Sequence, residues 1–185
     1  MDTPLTDDAL RSSLLRGPQP ATVTLAGYDP AWAHRFEARA AALCGALGDR
    51  VRRVEHIGST SVPGLAAKPI IDIALAVDDP DDESAYLPEI LALGYDLRVR
   101  EPAHRCLRTG EPGDQVNLHC YPPGSVRMRR TVAFRDRLRA DDADRDLYAT
   151  TKRELARREW ADINYYAEAK WPVIREILEH GGWRE

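Results

Sequence analysis

One short apolar stretch constrains the fold more than any other part of the chain. Residues 69–77, PIIDIALAV, are rich in Ile, Leu and Val and predict a core β-strand. Side chains alternate along a strand, so Asp72 shares its face with Ile70, Ala74 and Ala76. Burying an ionised carboxylate there without a partner costs several kcal/mol. We therefore expect Asp72 to meet a cation, a hydrogen-bonding turn or the solvent of a cleft.

A polar turn precedes this strand. It reads Gly58, Ser59, Thr60, Ser61, and residues 59–67 are predicted to form a turn or a short helix. Backbone N–H groups of a Gly-Ser turn at the head of a helix point outward at the positive end of the helix dipole, so they can hold a phosphate, with the three hydroxyls as further donors. Similar turns also cap helices that bind nothing. The turn is either a phosphate loop or a local cap.

The rest of the first two thirds predicts an α/β fold of the α+β kind, with a mixed β-sheet flanked by helices. Helices are expected from Pro30 to about Gly48 and from Ser84 to Leu93. TGEPGD, at 109–114, is expected to be the hairpin loop between the last two strands. The further strands are predicted at 51–57, 95–100, 104–109 and 115–121.

From residue 127 the pattern becomes helical. One apolar face is expected from Leu147, Tyr148, Thr151 and Leu155, and others follow around Tyr166 and Ile177. We expect this C-terminal helical layer, at about 127–182, to pack on a sheet part at about 21–125, so that 21–185 form a single domain. Residues 1–20 end in RGPQP and are expected to be a flexible leader.

Two histidines stand near these features. His119 shares one face of the strand 115–121 with Gln115, Asn117 and Tyr121. His56 directly precedes the Gly-Ser turn. Either ring is a possible catalytic or metal-binding group, and either could equally be structural.

Basic side chains offer anion contacts. Lys68 lies just before the strand that carries Asp72, where it could reach a phosphate from the edge of the cleft or remain solvated. Lys152, Arg129, Arg130 and Arg135 lie in the helical layer. They either contact an anion or pair with acidic neighbours along their helices.

Composition excludes several classes of protein. The formal net charge of -4 argues against general nucleic-acid binding, which needs a basic field. Cys44, Cys106 and Cys120 are odd in number and form no C-x-x-C, so neither a disulfide framework nor a zinc knuckle is indicated. With no signal-like apolar segment and no long apolar run, we expect a cytoplasmic protein without membrane contact. The oligomeric state is not indicated.

A longer set of motifs resembles the GrpB family. These are EHIGSTSVPGLAAKPIIDI, LGY, NLHCY, FRDRLRA and LYATTKRELA, and the resemblance covers about residues 21–180. It implies a nucleotidyltransferase-like fold. The domain is also similar to one fused to dephospho-coenzyme A kinase in some bacteria, which suggests a nucleotide-related context.

The nucleotidyltransferase superfamily carries a Gly-Ser at the start of a helix, then an Asp-x-Asp pair, then a third carboxylate on a later strand. Gly58 and Ser59 match the first part, but the partner of Asp72 falls on either Ile70 or Ala74. The later strand offers an amide and an imidazole, and imidazole suits Zn²⁺ or Mn²⁺ better than Mg²⁺. The resemblance therefore implies a metal site that lacks one ligand.

The leading hypothesis is a nucleotidyltransferase-like protein that binds a nucleotide or another phosphorylated small molecule with Mg²⁺ or Mn²⁺. The expected catalytic residues are Asp72 and His119, and nucleotidyl transfer would go to an unknown acceptor. Asp72 would hold the metal, with His119 and His56 as further ligands. The expected phosphate-binding residues are Gly58, Ser59, Thr60, Ser61, Lys68 and Lys152.

Two alternatives stay open. A catalytically degenerate module would bind a nucleotide without turnover, because the second carboxylate is missing. A hydrolase would require Asp72, His56 and His119 to converge on one metal ion.

Overall fold

The computed structural model of the protein describes residues 22–110 and 114–184. The expected leader at 1–20 and residues 111–113 of the expected hairpin loop lie outside the described residues. Within the described ranges, every helix is too short or too polar to cross a membrane.

Five strands form one mixed sheet in the order β1-β2-β5-β4-β3. The two inner neighbours β2 and β5 run parallel, and the other three pairings are antiparallel. Each of the five strands begins and ends within one or two residues of its predicted bounds, so the predicted sheet is confirmed. The strands are β1 (Arg53–Ile57), β2 (Ile71–Ala76), β3 (Asp96–Glu101), β4 (His104–Arg108) and β5 (Val116–Tyr121).

Two helices cover one face of the sheet, as predicted. Helix α1 (Ala31–Leu47) and helix α2 (Leu87–Ala92) bury Leu43 and Ile90 completely against the same face of β2 that carries Ile73. Each such fully buried side chain contributes roughly 1.5–3 kcal/mol relative to exposure. This main core fixes β2, and with it the position of Asp72 on the opposite face.

The C-terminal helices cover that opposite face. Helix α3 lies on the small residues Ala74 and Ala76 of β2 through Met128 and Val132. The side chains of Ser125, Asp141 and Asp162 cap the N-termini of the first three helices of this C-terminal layer. The helices are α3 (Val126–Ala140), α4 (Asp142–Ala156), α5 (Ile163–Ala169) and α6 (Trp171–His180).

One predicted apolar face in this layer is wrong in part. Leu147 of α4 is 36% exposed, whereas the buried side of the helix carries Tyr148, Lys152 and Leu155. Lys152 takes a core position because its ammonium group donates to the carbonyl oxygen of Ala66 at 2.5 Å. This bond satisfies one donor of the ammonium group, but burial still disfavours its charged form.

Candidate functional site

The Gly-Ser turn and Asp72 are in direct contact. Gly58 has φ of +70°, and a Cβ atom placed on it would overlap Oδ2 of Asp72 and lie 2.9 Å from the Cβ of that residue. Only glycine provides both the left-handed backbone and the space for the carboxylate. The close approach explains why a glycine precedes Ser59, and it joins two features that are well separated in the sequence.

A row of polar side chains crosses three strands from Asp72. Asp72, Asn117 and Arg108 are register partners on β2, β5 and β4. The amide of Asn117 donates to Oδ1 of Asp72 at 2.7 Å, and Nε of Arg108 donates to Oδ1 of Asn117 at 2.8 Å. The row fixes the carboxylate in one orientation and leaves Oδ2, the atom beside the turn, outside these bonds.

The hydroxyls of the turn are engaged within the protein. Thr60 donates to the carbonyl oxygen of Ile70 at 3.1 Å, and Ser61 donates to the carbonyl oxygen of Gly58 at 2.6 Å. Ser59 interacts with the hydroxyl of Tyr148. Residues 59–61 form a single 3₁₀ turn in which Ser61 is the first residue whose N–H has an acceptor. The earlier N–H groups of the turn are therefore its remaining donors for an anion.

A cavity of about 410 Å³ lies in front of this row, between the sheet and the helical layer. Lys68, Lys152 and Lys170 line it together with Tyr166. The ammonium groups of Lys68 and Lys170 lie 5.7 and 4.6 Å from the centre of the Tyr166 ring. The cavity thus brings together amines from a loop, from helix α4 and from the turn between α5 and α6.

Burial makes these amines less basic than usual. It lowers the pKa of Lys68 to about 8, with a smaller contribution from the charge of Lys170, while Asp72 opposes the change. Burial also lowers the pKa of Lys170 to about 8 and that of Lys152 to about 7. Such shifts mean that the ammonium forms are poorly compensated, so an anion in the cavity would stabilise them.

Two arginines of the sheet complete the cationic lining. Arg108 belongs to the polar row, and Arg98 lies at an irregularity of β3 between Leu97 and Val99. Both Arg98 and its neighbour Val99 line the cavity, which regular alternation would forbid, so the bulge redirects the arginine. Its Nε atom is buried and has no hydrogen-bond partner in the described structure. A buried donor of this kind favours an acceptor supplied by a ligand.

The structure places the two predicted histidines apart. His119 lines the cavity on the face of Asp72. His56 is the register partner of Ile73, on the other face of the sheet, where it stacks on Phe36 and contacts Thr60 at 3.1 Å. Burial, reinforced by Arg139 and Arg135, lowers the pKa of His56 to about 4. The geometry therefore does not bring His56 to Asp72.

A metal site built from protein side chains alone is not formed. Among residues 22–110 and 114–184, no three His, Cys, Asp or Glu side chains are grouped so that they could hold a metal ion. The mixed site of Asp72, His56 and His119 that a metal-dependent hydrolase needs is consequently not assembled.

The arginines of the helical layer also lie elsewhere. Arg135 is buried between α3 and β1, and Arg130 stacks on Trp171 at 4.3 Å. Arg129 is exposed on α3. Tyr166 lines the cavity, and its buried hydroxyl has no partner among the described residues.

Sequence reasoning missed Arg98, Arg108, Cys106 and Lys170. The first three depend on strand order, because β4 and β3 reach the cavity only when β4 pairs with β5. Lys170 depends on the turn between α5 and α6. The only sequence signal was the odd alternation of basic and small residues along HRCLR in β4.

A mixed sheet whose inner strand carries a carboxylate against a Gly-Ser turn, covered by a C-terminal helical layer, defines an α/β protein with a cationic cavity between its sheet and its helices. The chain belongs to the GrpB family, whose model matches residues 22–180.

Individual relatives agree with this assignment. A UPF0157 protein of Halalkalibacterium halodurans is 44% identical over 182 residues, covering 96% of this chain and 92% of the relative. The crystal structure of GrpB from Enterococcus faecalis matches with a TM-score of 0.71 at 33% identity, covering 85% of this chain and 98% of that one. A dephospho-CoA kinase of Mycolicibacterium paratuberculosis is 30% identical over an alignment of 198 positions, which covers 89% of this chain and 49% of the kinase. The last match confirms the expected similarity to a domain of such kinases.

Proposed function

We propose that the protein binds a nucleotide, or another phosphorylated small molecule, in this cavity and transfers its nucleotidyl group to an acceptor. One observation carries the proposal: cationic side chains from the sheet, from a loop, from helix α4 and from the turn between α5 and α6 converge in front of Asp72 and the Gly-Ser turn. The side chains are those of Lys68, Arg98, Arg108, Lys152 and Lys170. A phosphate chain is the small-molecule group that such a set of donors fits best.

The residues also fit a divalent cation, provided that the nucleotide is present. Oδ2 of Asp72 is the carboxylate oxygen left outside the polar row. Mg²⁺ is commonly held by one or two carboxylates together with substrate phosphates and water. Surrounded by ammonium and guanidinium groups, a metal ion without the nucleotide would be repelled. When bound, Mg²⁺ or Mn²⁺ would neutralise charge on the phosphate that is attacked.

Nucleotidyl transfer remains chemically possible without the second carboxylate. Lysine and arginine side chains can stabilise charge that develops on a leaving pyrophosphate, as a second metal ion does in other enzymes. Lys68 and Lys170 are half-buried in the cavity wall, where this stabilisation is stronger than in water. We assign them to the phosphate chain.

A binding module without turnover is the second candidate. One observation favours it: the partner of Asp72 on β5 is the uncharged amide of Asn117, which donates to Asp72 and accepts from Arg108. In that case the lysines alone would hold the nucleotide, and a metal ion would add nothing to binding.

Thermal unfolding with nucleoside triphosphates tests both candidates. A ligand at about 100 times its Kd adds roughly 2.7 kcal/mol, which raises Tm by about 5–10 °C for a domain of this size. With Mg²⁺ or Mn²⁺ we expect such a shift for the wild type and its loss in Asp72→Ala. Asp78→Ala, which removes an exposed carboxylate just beyond the same strand, is the matched control.

Three outcomes separate the candidates. A shift that needs the metal and Asp72 supports transfer. A shift that survives both the chelator and Asp72→Ala supports the binding module. The absence of a shift with every nucleotide would contradict nucleotide binding, and sugar phosphates and pyrophosphate would be tried next.

Binding should weaken as the pH rises. The pKa values of Lys68 and Lys170 lie near 8 in the free protein, and a bound polyanion favours their charged forms. Above neutral pH, binding therefore takes up protons, and linkage requires the affinity to fall as pH increases. From pH 7.5 to 9 we expect a loss of about tenfold for one such proton.

Isothermal titration calorimetry in two buffers of different ionisation enthalpy measures that proton uptake directly. In Lys170→Met the slope of log Kd against pH should decrease. An affinity that does not change over this range would show that the lysines do not contact the phosphates.

A further inference from the structure

A chain of hydrogen-bonded side chains leads from the surface to the cavity. Glu101 ends β3, His104 begins β4, and His119 lies on β5. Oε2 of Glu101 is 2.9 Å from Nδ1 of His104, and Nε2 of His104 is 3.2 Å from Nδ1 of His119. The two imidazole rings stack with centres 5.4 Å apart and planes 8° apart. Since His119 lines the cavity, the chain ends at the proposed binding site.

The outer end of the chain is a fixed negative charge. Arg127 donates to the same Oε2 atom of Glu101 at 2.8 Å. Hydrogen bonds from His104 and then from Arg127 outweigh burial and lower the pKa of Glu101 to about 2. The carboxylate is ionised at neutral pH and can only accept hydrogen bonds. His104 is 4% exposed and stacks on Tyr121 at 5.0 Å, so its ring cannot turn away.

This arrangement determines where the imidazole protons lie. Because Glu101 only accepts, Nδ1 of His104 must donate to it. In a neutral His104 ring, Nε2 then carries a lone pair and accepts from Nδ1 of His119. A neutral His119 with its proton on Nδ1 carries a lone pair on Nε2, the nitrogen away from His104, and the thiol of Cys106 is hydrogen-bonded to the same ring.

The other candidate bases in the cavity have roles of their own: Lys152 donates to the carbonyl oxygen of Ala66, and Lys68 and Lys170 are assigned to the phosphate chain. Among the described lining residues the carboxylates are Asp72 and Asp162, and Asp162 caps α5 by accepting from the N–H of Asn164 at 2.8 Å. Asp72 is tied to the polar row. Cys106 is the register partner of His119, and although burial opposes ionisation, the nearby His119 and Arg108 lower the pKa of its thiol. The thiol is a nucleophile by nature, whereas the imidazole is suited to proton transfer.

We propose that His119 is the general base that removes the proton from an acceptor hydroxyl in this cavity, and that His104 and Glu101 are positioning residues that keep its Nε2 unprotonated. The inference rests on the proposed transfer function and deepens it, because it assigns the acceptor to the alcohols. The acceptor O–H breaks as its proton moves to Nε2 of His119. The freed oxygen lone pair forms the new O–P bond, and the bond from phosphorus to pyrophosphate breaks with its electron pair.

The chain also accommodates the charge that this step creates. When Nε2 gains a proton, His119 becomes an imidazolium, and its Nδ1 proton can move to His104. The positive charge then rests beside the Glu101 carboxylate. An oriented carboxylate behind a histidine supports base catalysis in this way in serine hydrolases.

The position of the protons is measurable without any ligand. In ¹⁵N-histidine-labelled protein at pH 8, we expect the NMR signals of His119 to show a protonated Nδ1 and an unprotonated Nε2. His104→Phe keeps a ring on Tyr121 but removes the acceptor, so His119 should change to the Nε2–H form that free imidazole side chains favour. A wild-type His119 protonated on Nε2, or no change in His104→Phe, would overturn the proposal.

A second pair of residues supplies the control. His34 and Glu37 are likewise three residues apart, 3.4 Å from Nδ1 to Oε2, but their side chains are 83% and 69% exposed. Glu101→Gln should move the His119 signals, whereas Glu37→Gln should leave them unchanged. Equal effects of the two substitutions would mean that the chain transmits nothing to His119.

Turnover tests the catalytic role separately. Pyrophosphate release from a nucleoside triphosphate is followed with glycerol as the probe acceptor. Loss of a general base slows such a reaction by at least about 10²-fold, which we expect for His119→Gln, and loss of an outer partner by about tenfold, which we expect for Glu101→Gln, with nucleotide affinity unchanged in both. Full activity of His119→Gln would overturn the base assignment and leave nucleotidyl transfer standing. No release by the wild type would overturn transfer and the base role together, while the NMR result still shows whether the histidine chain exists.

Discussion

Replacing Gly58 by alanine should cost the protein about 3 kcal/mol and disturb Asp72. The backbone at position 58 is left-handed, which costs a non-glycine residue roughly 1–2 kcal/mol. The new methyl group would also overlap the carboxylate of Asp72, and forcing a group into occupied space adds about 1–3 kcal/mol. Urea unfolding at pH 7 measures the sum.

Gly64 separates the two causes. It has a similar φ of +78°, but a Cβ atom there would have no neighbour within 4 Å. Gly64→Ala should therefore lose only about 1 kcal/mol, from the backbone alone. In an Asp72→Ala background the additional cost at position 58 should largely disappear, because the overlapping group is gone. Equal losses for the two glycines would show that the carboxylate does not lie against the turn.

Replacing Arg135 by methionine should lower the free energy of unfolding by about 3 kcal/mol. The substitution removes a buried charged donor and leaves its acceptor atoms without that partner. Its guanidinium group donates to Oε2 of Glu55 at 2.6 Å and to the carbonyl oxygen of His56 at 2.8 Å, and so ties α3 to β1. Methionine keeps much of the volume and leaves both acceptors without this donor. The free energy of unfolding in urea is the measurement.

An exposed arginine directly before the edge strand β1 is the control. Arg52 pairs with Asp78 at the surface, with side chains 49% and 66% exposed. Arg52→Met should change stability little, because solvent competes with an exposed ion pair. If Arg135→Met were as mild, the contact between α3 and β1 would have to depend on apolar packing instead.

The elements of the fold were predictable because hydrophobic periodicity is local. Residues 69–77 predicted β2 and the stripe from Trp32 to Leu43 predicted α1, and both are confirmed. The predicted face was wrong at Leu147 because it ran through Leu147 and Thr151 and left out Lys152, which is buried. Its amine is buried against the carbonyl oxygen of Ala66, a contact between distant segments that no helical period encodes.

The candidate site was only half predictable for the same reason. Asp72, Lys68, Lys152 and the Gly-Ser turn stood out by their residue types. Arg98, in contrast, reaches the cavity through a bulge, and pairing between strands sets a bulge. His56 was grouped with Asp72 by proximity in sequence, although strand alternation places it on the other face. Register, which a single sequence does not state, decided each of these cases.

The ring of Tyr166 has an amine on either side, one from the loop before β2 and one from the junction of the last two helices. During synthesis on the ribosome, the first amine emerges long before the second, and the sheet can form while the pocket still lacks a wall. An anion that enters early meets an open, weakly charged groove. The proposed binding site is therefore complete only after the final helices have docked, so a ligand bound there would stabilise this last step of folding.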